Sequence, residues 1–197
     1  MSKTKKQKLF GVLAALAVAV GLIAYQAHAA TLSTRVVVSI DSTLAGTAVS
    51  GLSEAPAARI LKNFTLSLTN GTGSSAADKI FSEQRTIAAS GSYDLDLQAS
   101  LTDALGAAFT PAKVKCLAVF AAAGNTNDVQ VGGDAASVPI FGATADYISV
   151  KPGGVLILCH PGAGFAVTAT SADLIQFANS AGSTSVTYDV IVIGTSV

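Results

Sequence analysis

Charge is scarce in this 197-residue chain: Asp, Glu, Lys and Arg together make up 12%, against about 25% in an ordinary globular protein. With 50% hydrophobic residues beside it, that scarcity excludes intrinsic disorder, because apolar surface is plentiful and self-repulsion weak. The formal charge is zero and the pI about 6.7, which removes the basic patch that marks a nucleic-acid binder. Two cysteines exclude a disulfide-dense miniature and a four-Cys zinc site. There is no Trp, and aromatic side chains interleaved with Arg or Lys, the platform for single-stranded nucleic acid, are missing. At this length one domain with a core of ordinary size is the default.

The charge that is present is unevenly spread. Lys3, Lys5, Lys6 and Lys8 precede the first acidic residue, Asp41, and an uncharged apolar run follows from Leu9 to Tyr25. A basic start, an apolar middle and the small-x-small ending Ala27-His28-Ala29 read as an export signal cleaved between Ala29 and Ala30. The competing reading is a retained anchor, since an N-terminal hydrophobic helix of this length spans about 25 Å, within the tolerated range for a membrane. Either way residues 1–29 are a targeting segment that offers membrane contact, and the lysines orient the remainder away from the cytoplasm. Residues 30–197 then carry eight basic and twelve acidic residues, a net charge of −4.

In that body, apolar residues alternate with polar ones, which lines one sheet face with the former. Arg35 to Ile40, Phe64 to Thr69 and Tyr93 to Leu97 show it first. Further strands are expected at Val114–Phe120, Asp128–Val131, Asp146–Val150, Val155–Cys159, Phe165–Thr170, Leu174–Asn179 and Val186–Ile193. Gly, Pro and Asn turns separate them. The pattern predicts an all-β fold, a single antiparallel β-sandwich domain preceded by the N-terminal hydrophobic helix. Ala55–Ile60 and Ala104–Ala108 could each form at most a short helical turn. Val186–Ile193 is either a central strand, as its continuous apolar character favours, or an adhesive edge for another copy.

Catalytic chemistry finds little to work with. The body keeps one histidine, His160, next to Cys159, and neighbours on a strand point to opposite faces, so a Cys–His dyad is disfavoured. Asp94 and Asp96 share a face, and Asn125, Asn127 and Asp128 share a loop, but neither set matches a calcium loop. Phosphate-binding glycine loops and the Gly-x-Ser-x-Gly elbow are absent. No catalytic, cofactor-binding or metal-binding residue is therefore assigned. Cys116 alternates with Lys113 and Lys115, which places it inward, and Cys159 closes an apolar strand. The two form either a disulfide, which an exported body permits, or two separate buried thiols.

From Tyr93 onward the order of motifs resembles a recurrent pattern in tailed-phage structural proteins. It runs through Tyr93-Asp94-Leu95-Asp96-Leu97, Ser100 to Gly106, Lys113-Val114-Lys115-Cys116-Leu117 and Val131-Gly132-Gly133. It continues with Val150 to Leu156, Phe165 to Leu174, Ala178-Asn179-Ser180 and Tyr188 to Gly194. The resemblance implies a jelly-roll-like, non-enzymatic virion component in a capsid, decoration or spike, partnered by its own copies or by other virion proteins. The N-terminal segment departs from that pattern and suits a membrane-containing virion or a phage-derived domain that a cell exports. The alternative is a secreted or envelope-bound bacterial binding module or adhesin, for which exposed aromatics in a groove would be the mark. An exported hydrolase is the weakest reading, for want of a base.

Overall fold

The computed structural model describes residues 30–46, 57–143 and 145–197. The export or anchor segment 1–29, its hydrophobic helix and Ala29 lie outside the described residues, and Ala30 is exposed. From Leu32 the chain forms one compact unit, and it is all-β, with no helix among the described residues. Its strands are β1 (Thr34–Ala45), β2 (Ala57–Asn70), β3 (Ala76–Ala77), β4 (Lys79–Ile87), β5 (Ser92–Asp96) and β6 (Lys113–Ala121). They continue with β7 (Val129–Gly132), β8 (Tyr147–Val150), β9 (Val155–Cys159), β10 (Phe165–Ala166), β11 (Leu174–Asn179) and β12 (Val186–Thr195).

Two antiparallel sheets share the main core. In one, β12 lies between β4 and β6, and β6 pairs on its far side with β9 and β10; the other runs β5-β11-β7-β8. Alternation decides what each strand contributes. Val186, Tyr188, Val190 and Val192 of β12 are buried on one face with Leu117, Val119 and Ala121 of β6. They meet Leu95, Val129, Val131, Ile175 and Phe177 from the other sheet. Phe177 and Tyr188 stack across the interior with ring centroids 4.5 Å apart. Each such side chain removed from water contributes about 1.5–3 kcal/mol, so this shared face holds the two sheets together.

β12 is a central strand, so its apolar run is not an adhesive edge. The edge next to it is β4, which sequence reading missed because Glu83 and Arg85 occupy its inward positions between Phe81 and Ile87. Inward charges on an edge strand discourage pairing with strangers. Here they form an ion pair, with the Arg85 guanidinium 3.4 Å from the Tyr93 ring centre. β2 also begins earlier than expected: Ala57–Ile60 is strand and not a helical turn, because it pairs residue for residue with β1. The expected strand Phe165–Thr170 is limited to Phe165–Ala166.

One register slip reorders the faces of β6. Ile193 pairs with Cys116, but Gly194 pairs with Val114, which leaves Lys115 as the extra residue of a β-bulge. A bulge lets both flanks of the strand keep their apolar side chains on the core, so Val114 and Leu117 are both buried there. Gly194 suits the tight approach, since a Cβ on it would lie 2.5 Å from the Lys113 carbonyl oxygen. The slip also corrects the expected orientation of Cys116: the residue is buried, but on the opposite face from the main core. Lys115 is itself buried, its ammonium donating to the Pro161 carbonyl at 3.2 Å and to the Gly162 carbonyl. Burial, with the nearby charge of Lys113, holds it below the ordinary lysine value.

Two substitutions test this packing. Gly132 has a φ of +101°, and a Cβ there would sit 2.5 Å from the Asp146 carbonyl oxygen. Gly132→Ala should therefore lower stability by about 1–3 kcal/mol in urea unfolding. The Tyr188 hydroxyl is buried without a hydrogen-bond partner, and burial raises its ionisation well above the usual value near 10.0. Folding thus favours the neutral phenol, and its contribution is lost as pH climbs past the unfolded value. Tyr188→Phe should match or exceed the parent's stability at pH 7, by up to about 1–3 kcal/mol, and should lose less stability above pH 10. A destabilised Tyr188→Phe protein would show that the hydroxyl has a partner.

Candidate functional site

The residues singled out in the sequence take up structural duties. Cys116 and Cys159 stand opposite each other in register on β6 and β9, with Cα atoms 4.0 Å apart, and are joined as a disulfide. His160 turns away from that pair. Its Nδ1 accepts a hydrogen bond from the Gly164 amide at 2.8 Å, and its ring meets Phe165 edge-on at 5.6 Å. The histidine thus closes the Pro161–Gly164 turn, and the cysteine beside it is bonded elsewhere.

The carboxylates and amides are occupied in the same way. Asp94 accepts from the Gln176 side chain at 2.8 Å, and Asp96 from the Gln98 amide at 2.9 Å. Lys151 donates to Asp128 at 2.6 Å. Asn125 grips the Thr187 backbone, its side-chain nitrogen donating to the carbonyl at 2.9 Å and its side-chain oxygen accepting from the amide at 2.8 Å, and Asn127 bonds Asn179 and Thr184. No group of three or more His, Cys, Asp or Glu side chains converges among the described residues. No helix among them is long and apolar enough to cross a membrane.

The conspicuous surface is one that sequence reading divided into two short strands. β1 and β2 pair without interruption from Thr34↔Leu68 to Ala45↔Ala57, a ribbon about 40 Å long at 3.3 Å per residue; residues 47–56, which join them, lie outside the described residues. Residues paired in register share a face, so the two faces of the ribbon differ in chemistry. One carries Val36↔Leu66, Val38↔Phe64, Ile40↔Lys62, Ser42↔Ile60 and Leu44↔Ala58. The other carries Ser39 donating to Asn63 at 2.7 Å and Arg59 gripping Asp41 through two bonds of 2.9 and 2.6 Å. That guanidinium holds the Asp41 carboxyl below its ordinary value.

The base of the apolar face is covered. Leu66 and Leu68, with Val36, pack on Cys116, Cys159, Ile191 and Ile193 in a second small core on the outer face of the β4–β12–β6–β9 sheet. Away from the base, cover by the described residues ends: exposure rises from 38% at Val38 to 55% at Ile40 and 76% at Leu44. Between ribbon and sheet lies an open cleft of about 480 Å³ whose walls include Val36, Ala118, Phe120, Ile157 and Ile191. A neighbouring recess of about 370 Å³ is lined by Val38, Phe64, Ile157 and Leu158. The walls of both are mostly apolar, with Ser33, Thr34 and Arg35 at the first.

Lys62 interrupts the stripe and Ala57-Ala58 mimics a helix start, so the full ribbon was hard to see in sequence. The alternation of Val36, Val38, Ile40 and Leu44 was the signal available. No family model matches the chain, and no curated protein or solved structure shows significant similarity to it.

The cysteine pairing gives a direct test. The unreduced protein should take up no thiol label, and after reduction it should take up two. Replacing both cysteines with Ala should lower stability by about 2–4 kcal/mol, as expected for a loop of this size. Labelling of the unreduced protein would show two separate thiols.

Proposed function

We propose that this chain is a non-enzymatic structural subunit of a phage virion, in a capsid, decoration or spike, working through shape and self-association. The observation that carries the reading is the ribbon: a long apolar face, continuous with a packed core at its base, that none of the described residues covers at its far end. A monomer at home in water gains nothing from such a face, whereas an assembling subunit uses it as the contact.

The strand order supports the finer description of the body as a jelly-roll-like β-sandwich. Setting aside the ribbon strands, β3 and the two-residue β10, eight strands remain. The first of them, β4, lies beside the last, β12, in one sheet, while the second, β5, lies beside the last but one, β11, in the other. Two sheets laced in that nested order follow jelly-roll wiring, an architecture that recurs in viral capsids and in lectins. Fold alone does not choose between those uses. The motif series from Tyr93 onward and the uncovered ribbon favour the virion.

An exported bacterial binding module or adhesin is the second reading. It is favoured by the Cys116–Cys159 bond, which persists in oxidising compartments. The cleft walls, however, offer Phe120 and Phe64 among aliphatic side chains, a poor platform for a polar sugar. Fractionation separates the two: a virion subunit should sediment with purified particles and be missing from the particle-free cell envelope. Sequencing the N-terminus of the same sample should find Ala30 first if the segment is cleaved. Recovery with the envelope alone would favour the binding module.

A further inference from the structure

The half of the ribbon that no described residue covers poses a physical problem that one occupant solves. A lone two-stranded hairpin is marginal in water, because each strand has a single neighbour and one face must be buried for stability. Here the opposite face is tied across by the Ser39–Asn63 and Asp41–Arg59 bonds, with Val37 and Leu61 exposed beside them, so the continuous stripe that most needs cover is the apolar face. That face holds no acidic residue and one base, Lys62. Both strands are edges along this stretch, so Lys62 stands at a margin where its stem can lie over the stripe and its ammonium reach water.

We propose that the cover is the same face of a second copy. The ribbons of two chains pack apolar face to apolar face about a two-fold axis, making a small two-layer sandwich outside the two bodies. The inference rests on the reading of the chain as a self-associating subunit and names the surface it uses. A two-fold contact must be self-complementary, and an apolar stripe without opposing charges is complementary to itself. Sheet faces about 10 Å apart interleave their side chains, and Val38, Ile40, Leu44, Ile60 and Phe64 supply the large ones.

The area is sufficient. With exposures of 38% to 76%, these five side chains present on the order of 500 Å² on each copy, near the upper limit for the largest patch left open on a monomer. Two copies together bury about 1,000 Å², where specific interfaces begin. The cleft at the base does not serve the same purpose. A second ribbon inserted there would set its polar face, with Arg59 and Asp41, against an apolar wall.

The test uses the full chain throughout, so that the N-terminal segment is common to every sample. Both native cysteines are bonded, and a single introduced cysteine is then the sole free thiol. Ser42→Cys puts it on the apolar face and Thr43→Cys on the polar one. Under mild oxidation Ser42→Cys should give covalent dimers at least tenfold faster than Thr43→Cys; equal rates would overturn the proposal. Ile40→Asp/Ile60→Asp should weaken association at least tenfold in sedimentation equilibrium while the far-ultraviolet circular dichroism of the body is kept. Unchanged association of a folded double variant would overturn the proposal while leaving the structural-subunit reading in place. A parent chain that is monomeric and absent from particles would overturn both. A Ser42→Cys thiol that resists alkylation in a monomeric chain would assign the cover to residues 9–25 of the same chain and overturn the proposal.

Discussion

β12 lies between β4 and β6 in antiparallel register over almost its whole length, and the one place where the register slips determines what both faces of the sheet can do. On the inner face, pairing keeps Val186, Tyr188, Val190 and Val192 in line with Leu117 and Val119, so the second sheet has a continuous apolar surface to pack on. On the outer face, the extra residue at Lys115 turns Cys116 out beside Ile193, where the ribbon base lands. Without the slip, Val114 and Leu117 could not both reach the main core while Cys116 reached Cys159. The cost is a buried ammonium, met by two carbonyls of the 161–162 turn.

Strands that are half buried and flanked by turn residues were legible in the sequence. β6, β9, β11 and β12 emerge close to where alternation places them, because for them local pattern and tertiary environment agree. β4 was hidden because an edge strand that turns Glu83 and Arg85 inward has no apolar stripe. The far half of β2 was hidden because Ala57 and Ala58 favour a helix in isolation, and pairing with β1 overrides that weak preference. The bulge leaves no compositional trace, and it depends on β6 meeting β12 across about seventy residues of chain. Both cysteines stood out at once, whereas their meeting follows from the β6–β9 register, which no local feature encodes.

The sparse charge takes on a definite meaning in three dimensions. Asp41 with Arg59, Glu83 with Arg85 and Asp128 with Lys151 are paired across or along strands and loops, so much of the small charged set is spent on local order. Wide stretches of the ribbon and of the outer sheet face are left aliphatic. Surfaces of that kind have little electrostatic steering and little means to reject a neutral partner. In the proposed pairing of copies, selectivity comes from shape and from matching the alternation of side chains, as it does between the sheets of a domain.

The disulfide sits where the ribbon is anchored. β9 is held to the sheet by β6 alone, an arrangement in which a sideways pull opens hydrogen bonds one at a time. The ribbon base rests on Cys116 and Cys159 themselves, so a load borne by the ribbon arrives at the one point where β6 and β9 are covalently riveted. Force passes into the sheet as a whole, and the outermost strand cannot be peeled away. Any partner that grips the ribbon would pull on the whole sheet through this joint.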